Sequence, residues 1–182
     1  MARIPNLTRD QLKPEDQKHY DEIEASRGGV RGPFGVLLHS PDLASRAAAT
    51  GHYVRFDFDL DNALKEVVIL ATAAEITSQY EFSAHARLAR QAGVSDETIR
   101  AIADGTAPAG LSGDEELLVR YTRELVRDHK VSDSTYDAVI AKLGVQGTVD
   151  VTGLIGHYML VGQFLLAFEV DLPTGMAPEL PN

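Results

Sequence analysis

Helix starts and glycine stops recur along this chain at intervals that leave little room for a sheet. Pro14 with Glu15 and Asp16 suits a first helical turn: proline's missing N–H is no loss there, and carboxylates complement the positive end of the helix dipole. That helix is predicted to run through Tyr20 and Ile23 to the Gly28-Gly29 pair. Ser40-Pro41-Asp42 repeats the logic, opening a helix over 43–55 that fades into an acidic loop, FDFDLDN, at 56–62. Residues 63–76, ALKEVVILATAAEI, read as a largely apolar helix. Ser95 opens a short helix that Gly105 should end, and Ser112 with Glu115 has the S-x-x-E spacing of a capping box. Ser132 and Asp133 start another helix stopped at Gly144, an apolar helix covers about 148–168, and the chain from Pro173 onward reads as an extended tail. Alternating strand patterns are scarce, so the chain is predicted to be all-α. The expected architecture is a helical bundle subunit in a single domain over 1–182, with an N-terminal helical extension (about 1–33) and an extended C-terminal tail (about 173–182).

The bulk numbers narrow the function. With 182 residues, 44% of them hydrophobic, the chain can bury a core of its own. Seventeen Lys and Arg against 27 Asp and Glu give a formal charge of −10, which repels a phosphate backbone, so nucleic acid is not an expected partner. No cysteine is present. Without one, a disulfide, a thiolate nucleophile and a cysteine-ligated zinc are all excluded. The N-terminal sequence shows no apolar secretory core, so a cytoplasmic location is expected. Residues 153–168, GLIGHYMLVGQFLLAF, are apolar enough to suggest a membrane span. The stretch contains His157 and Gln163 and falls short of about 18 uninterrupted apolar residues, so a core or interface helix is expected instead, with no membrane partner.

The chemistry concentrates in SQYEFSAH, residues 78–85. Ser78 and Glu81 again have the S-x-x-E spacing, which by itself predicts a capped helix start and no more. His85 is not required by any cap. On a helix starting near Gln79, Glu81 and His85 are four apart and share a face. Glu66 sits on the preceding helix, about 18 Å from Ser78 if the helix were unbroken, but a break at Thr77-Ser78 would fold it back toward that face. Two carboxylates and an imidazole would then meet in a water-poor bundle, where burial and neighbouring charge tune acid/base groups.

The run Glu66-x11-Ser78-x2-Glu81-x3-His85 resembles the signature of the carboxymuconolactone decarboxylase and AhpD-like superfamily. The peroxidase branch of that superfamily carries E-x11-C-x-x-C-x3-H, and here Ser78 and Glu81 stand at the two cysteine positions. Thiol peroxidase chemistry is thereby excluded, and the pattern is similar to the cysteine-free, decarboxylase-like branch. The resemblance runs from about Pro33 to the closing HYMLVGQFLLAFEVDLP, with its core over 64–93. It implies an all-helical homo-oligomer, a trimer or hexamer, and a lyase that removes carbon dioxide without a cofactor from a small carboxylated lactone of aromatic catabolism. His85 would be the proton donor, Glu66 and Glu81 would set its tautomer and charge, and Ser78 or Tyr80 would donate to the developing oxyanion. An anionic substrate needs a cation, for which Arg55 and Arg87 are nearest in sequence. His157, beside Tyr158, is a candidate pocket residue, or else a core histidine.

Two rivals stand beside this reading. Glu66, Glu81 and His85 could together hold a metal ion, though one histidine is thin and the resemblance implies none. Asp57, Asp59 and Asp61 begin like a calcium loop, but Asn62 and Val68 occupy the positions of its glycine and bidentate glutamate, which leaves loop and cap roles. The chain could also be a non-catalytic helical oligomer that keeps the fold alone. An enzyme should bring the three residues to a cleft that a small molecule can enter; a purely structural triad should close on itself.

Overall fold

The computed structural model describes residues 2–106 and 113–181, and these are helical with no strand among them. Short 3-10 turns at Arg9–Gln11 and Pro14–Asp16 lead into α1 (Gln17–Arg27), followed by α2 (Pro33–Leu37), α3 (Pro41–His52) and a single π turn (Tyr53–Asp57). Then come α4 (Asn62–Glu75), α5 (Gln79–Gln91), α6 (Asp96–Ala103), α7 (Gly113–Val126) and α8 (Asp133–Ala167).

The stops act as the sequence predicts at several points. Gly28 ends α1 in the left-handed region at φ 69°, and its N–H bonds the Glu24 carbonyl. Asp61, Ser95 and Ser132 cap α4, α6 and α8 through their side chains. Gly144, at φ 68° and ψ 179°, breaks α8 into the two segments expected on either side of it. The helix expected over 43–55 instead ends as α at His52 and continues as the π turn. The short helix α2 was not anticipated. The predicted capping box at Ser112 lies outside the described residues.

Because α4 is apolar nearly all round, it can sit in the middle of the bundle. Val67 through Ala73 are all buried. One side of α4 joins Leu118, Tyr121, Val151, Leu154 and Tyr158 from α7 and α8; the other joins Phe82, Ala86, Ile99 and Ile102 from α5 and α6. A third cluster, built from Ile23, Phe34, Leu37, Leu38 and Ala44 with Phe164 packed against it, ties α1–α3 to the end of α8. By length and composition α8 could cross a membrane. Its apolar positions Val151, Leu154, Ile155, Val161 and Leu165 are used in the core. The tail is extended and pinned to α5: the Glu179 carboxylate accepts two hydrogen bonds from Arg90 at 2.8 and 2.7 Å.

Candidate active site

The α4–α5 hairpin brings the motif together. Thr77 takes a left-handed conformation at φ 54°, and the Ser78 N–H donates to the Ala73 carbonyl at 2.8 Å, reversing the chain within three residues. Glu66 is thereby folded back against His85. The imidazole Nδ1–H donates to Glu66 Oε2 at 2.7 Å, a short charge-assisted bond. On the other side of the ring, Nε2 lies 3.4 Å from Glu81 Oε2. The two carboxylates therefore flank the imidazole instead of converging on one point. In keeping with that arrangement, no group of three His, Asp or Glu side chains among the described residues is placed to share a metal ion.

The capping box expected at Ser78 and Glu81 does not form. Ser78 occupies the N-cap position of α5, but its hydroxyl makes no cap bond and is buried without a partner. Its N–H, which Glu81 was expected to reach, is already taken by Ala73. Glu81 is free to turn toward His85.

His85 and Glu81 open onto a cleft of about 180 Å³. Its walls come from Arg27, Arg31, Phe34, Arg55, Tyr80, His157, Tyr158 and Val161 along with backbone of the α1–α2 turn. The Tyr158 ring stands edge-on to His85 with centroids 4.9 Å apart, and edge-on to His157 at 5.4 Å. Glu66 lies behind the imidazole and borders a second cleft with Arg55, Lys65 and Leu88. Tyr80 reaches the α1–α2 turn because Gly32, at φ 57°, has no side chain; a Cβ there would stand 2.9 Å from the tyrosine hydroxyl. Gly51 similarly makes room for both His157 and Arg27, whose Nε2 and Nη2 lie 2.5 and 2.6 Å from where its Cβ would be.

Burial dominates the electrostatics of this cleft. It raises the Glu81 carboxyl above the usual carboxylate range, opposed by the nearby His85, Arg55 and Arg27. The Tyr158 and Tyr80 phenols are likewise pushed up and stay protonated as donors. His157 goes the other way, to about 4, because it is desolvated and faces Arg27, Arg55 and His85. It is neutral at physiological pH.

Of the residues singled out in the sequence, Glu81, His85, Tyr80, Arg55 and His157 line the cleft, and Glu66 supports it from behind. Ser78 and Arg87 do not. Ser78 faces into packed protein near Gly162, while Arg87 is exposed along the groove between α5 and the C-terminal tail. Arg27, Arg31 and Tyr158 are cleft residues that sequence reasoning did not assign to the site. Arg27 sits in the last turn of α1, where a basic residue is ordinary, almost forty positions before Glu66, and nothing local marks it as facing a cleft.

Residues 41–124 match the family model of the carboxymuconolactone decarboxylase family. No curated protein matches the chain. Among solved structures, an uncharacterized peroxidase-related protein with an alkylhydroperoxidase AhpD core, from Ralstonia eutropha JMP134, superposes with a TM-score of 0.77 at 17% identity, over 98% of both chains. A cysteine-to-alanine variant of the debrominase Bmp8, in complex with 2,3,4-tribromopyrrole, gives 0.75 at 12% identity over 94% of this chain and 91% of that one. A protein of unknown function from Agrobacterium tumefaciens, described as an AhpD antioxidant-defence candidate, gives 0.70 at 15% identity over 79% and 99%. At these identities the likeness is one of fold.

Proposed function

For a chain whose residues 41–124 belong to the carboxymuconolactone decarboxylase family and whose fold is AhpD-like, we propose a cofactor-free lyase of decarboxylase type. Its substrate class is a small carboxylated lactone or a related ring-cleavage product. The observation that carries this reading is the imidazole of His85, held at Nδ1 by Glu66 at 2.7 Å and presented at Nε2 beside Glu81 to an arginine-lined cleft. An open cleft on the Nε2 side favours catalysis over a triad that merely satisfies itself. The absence of cysteine removes the dithiol cycle of the peroxidase branch.

The chemistry follows from what each group can do. As the bond to the departing carboxylate breaks, its electron pair moves into a conjugated lactone carbonyl, creating an enolate. The protonated Tyr158 and Tyr80 phenols and the Arg55 guanidinium supply donors for that oxyanion. The proton then passes from His85 Nε2 to carbon and carbon dioxide leaves, so one proton enters for each carboxylate lost. Glu66 anchors the ring through Nδ1 while this happens, and Glu81, its carboxyl raised by burial, can return a proton to Nε2.

A trimeric or hexameric assembly and a cytoplasmic location belong to the same proposal. Exposed Val145, Val149 and Leu160 on α8 support the assembly. The test of the chemistry is carbon dioxide release from lactone acids by wild-type protein and by His85→Gln. Turnover should fall by about 10²-fold or more with the melting temperature nearly unchanged. Full activity in that variant would end the assignment.

A further inference from the structure

The segment matched to the family model begins at residue 41, yet a large part of the cleft wall comes from before it. Arg27 closes α1, and Arg31 lies in the turn to α2, where Gly28, Gly29 and Gly32 all have positive φ. Such a turn is built by residues free to adopt the left-handed region, and it curls two guanidinium groups over the motif. Phe34, the second residue of α2, adds its ring directly under Arg27, whose Cζ stands 4.2 Å from the ring centroid.

Arg27 is unusually poor in protein partners for a partly buried arginine. Among the described residues, its only hydrogen bond is from Nη2 to the Ala48 carbonyl at 3.1 Å, and its Nε is buried with none. His157, only 6% exposed, likewise has a buried Nδ1 without a partner. The two side chains meet over Gly51. Unsatisfied buried donors are costly, and a guanidinium fork matches a planar carboxylate. A chain with a formal charge of −10 has nonetheless gathered Arg27, Arg31 and Arg55 on one small cleft.

We propose that Arg27 and Arg31, presented by the α1–α2 turn, form the wall that selects the ligand: they hold a carboxylate between Arg27 and His157, with an apolar ring body against Phe34, Tyr158 and Val161. This deepens the acid/base reading, on which it rests for the identity of the reacting end. The carboxylate held here is a spectator group, distinct from the bond broken beside His85. Arg55 serves the reacting end, and Arg27 with Arg31 serves the anchoring end.

Calorimetric titration with benzoate, and with its uncharged isostere benzamide, tests the wall without any turnover. Wild-type protein should bind benzoate about tenfold or more tightly than benzamide. Arg27→Gln should erase that preference and Arg31→Gln should reduce it, whereas Arg87→Gln, on the far groove, should leave it unchanged. Gly51→Ala, which intrudes on Arg27 and His157 together, should weaken benzoate binding even where Arg27→Gln folds poorly. The readout is binding alone, so a failure to find any lyase substrate would not touch this result. Benzoate that does not bind, that binds no better than benzamide, or that is insensitive to both Arg27→Gln and Gly51→Ala would overturn the proposal. So would turnover of a lactone acid that depends on His85 and is unaffected by Arg27→Gln.

Discussion

The imidazoles of His85 and His157 lie in one cleft and have opposite surroundings. His85 has a carboxylate at each nitrogen, whereas His157 is desolvated among Arg27 on α1, Arg55 on the π turn and His85 on α5. The consequence is thermodynamic. In the unfolded chain a histidine titrates near 6.5, and in the native chain His157 titrates at about 4. Between those values the unfolded state binds more protons, so this residue's contribution to stability is complete above about pH 6.5 and is lost as pH falls toward 4. The full loss is on the order of 3 kcal/mol. Glu81, whose carboxyl is raised, acts with the opposite sign above the ordinary carboxylate range, so the difference between variants is the quantity to read. Melting temperatures of wild type and His157→Gln should converge as pH drops from 7 to 5; parallel curves would show that His157 is not buried neutral.

At the level of elements, the α4–α5 turn shows how a correct prediction can rest on an incorrect device. A break at Thr77-Ser78 is what the sequence predicts, and it occurs; the capping box that was to define it does not. The backbone supplies the stop through Thr77 at φ 54° and the Ser78 N–H bond to Ala73, leaving the Ser78 hydroxyl without work to do. A buried hydroxyl lacking a partner contributes no favourable hydrogen bond, so Ser78→Ala should change stability by less than about 0.5 kcal/mol or increase it. A lost cap would instead cost about 1 kcal/mol, which chemical denaturation distinguishes readily. Such local competition between backbone and side-chain acceptors is invisible in the four letters S-x-x-E.

For the whole molecule, the second segment of α8 carries two faces. Val151, Leu154, Ile155 and Val161 are buried, while Val145, Val149, Gly153, Gly156 and Leu160 follow one another at helical spacing along the outer face. Val145 and Val149 are 70% and 64% exposed, and a trough lined by Leu43, Ala47, Gly153, Gly156 and Leu160 runs beside them. Covering such a face with other subunits explains an apolar residue at positions where a monomer gains nothing from one. Under the assembly proposed above, sedimentation should show a trimer or hexamer, and Val149→Asp should shift it toward monomer without unfolding the chain. A monomeric wild-type protein would refute the assembly. By itself, the sequence determined the all-helical class, most helix stops, the apolar character of α4 and the meeting of Glu66, Glu81 and His85. These depend on turn chemistry, period and short separation along the chain, all of which are local. Only the tertiary structure decided that Arg27 and Arg31 reach the cleft while Arg87 does not, because the third core cluster packs α1–α3 against the end of α8 and so carries the α1–α2 turn over the motif. That placement depends on apolar contacts between residues more than a hundred positions apart, and hydrophobic packing of that range leaves no pattern in the neighbourhood of the residues it positions.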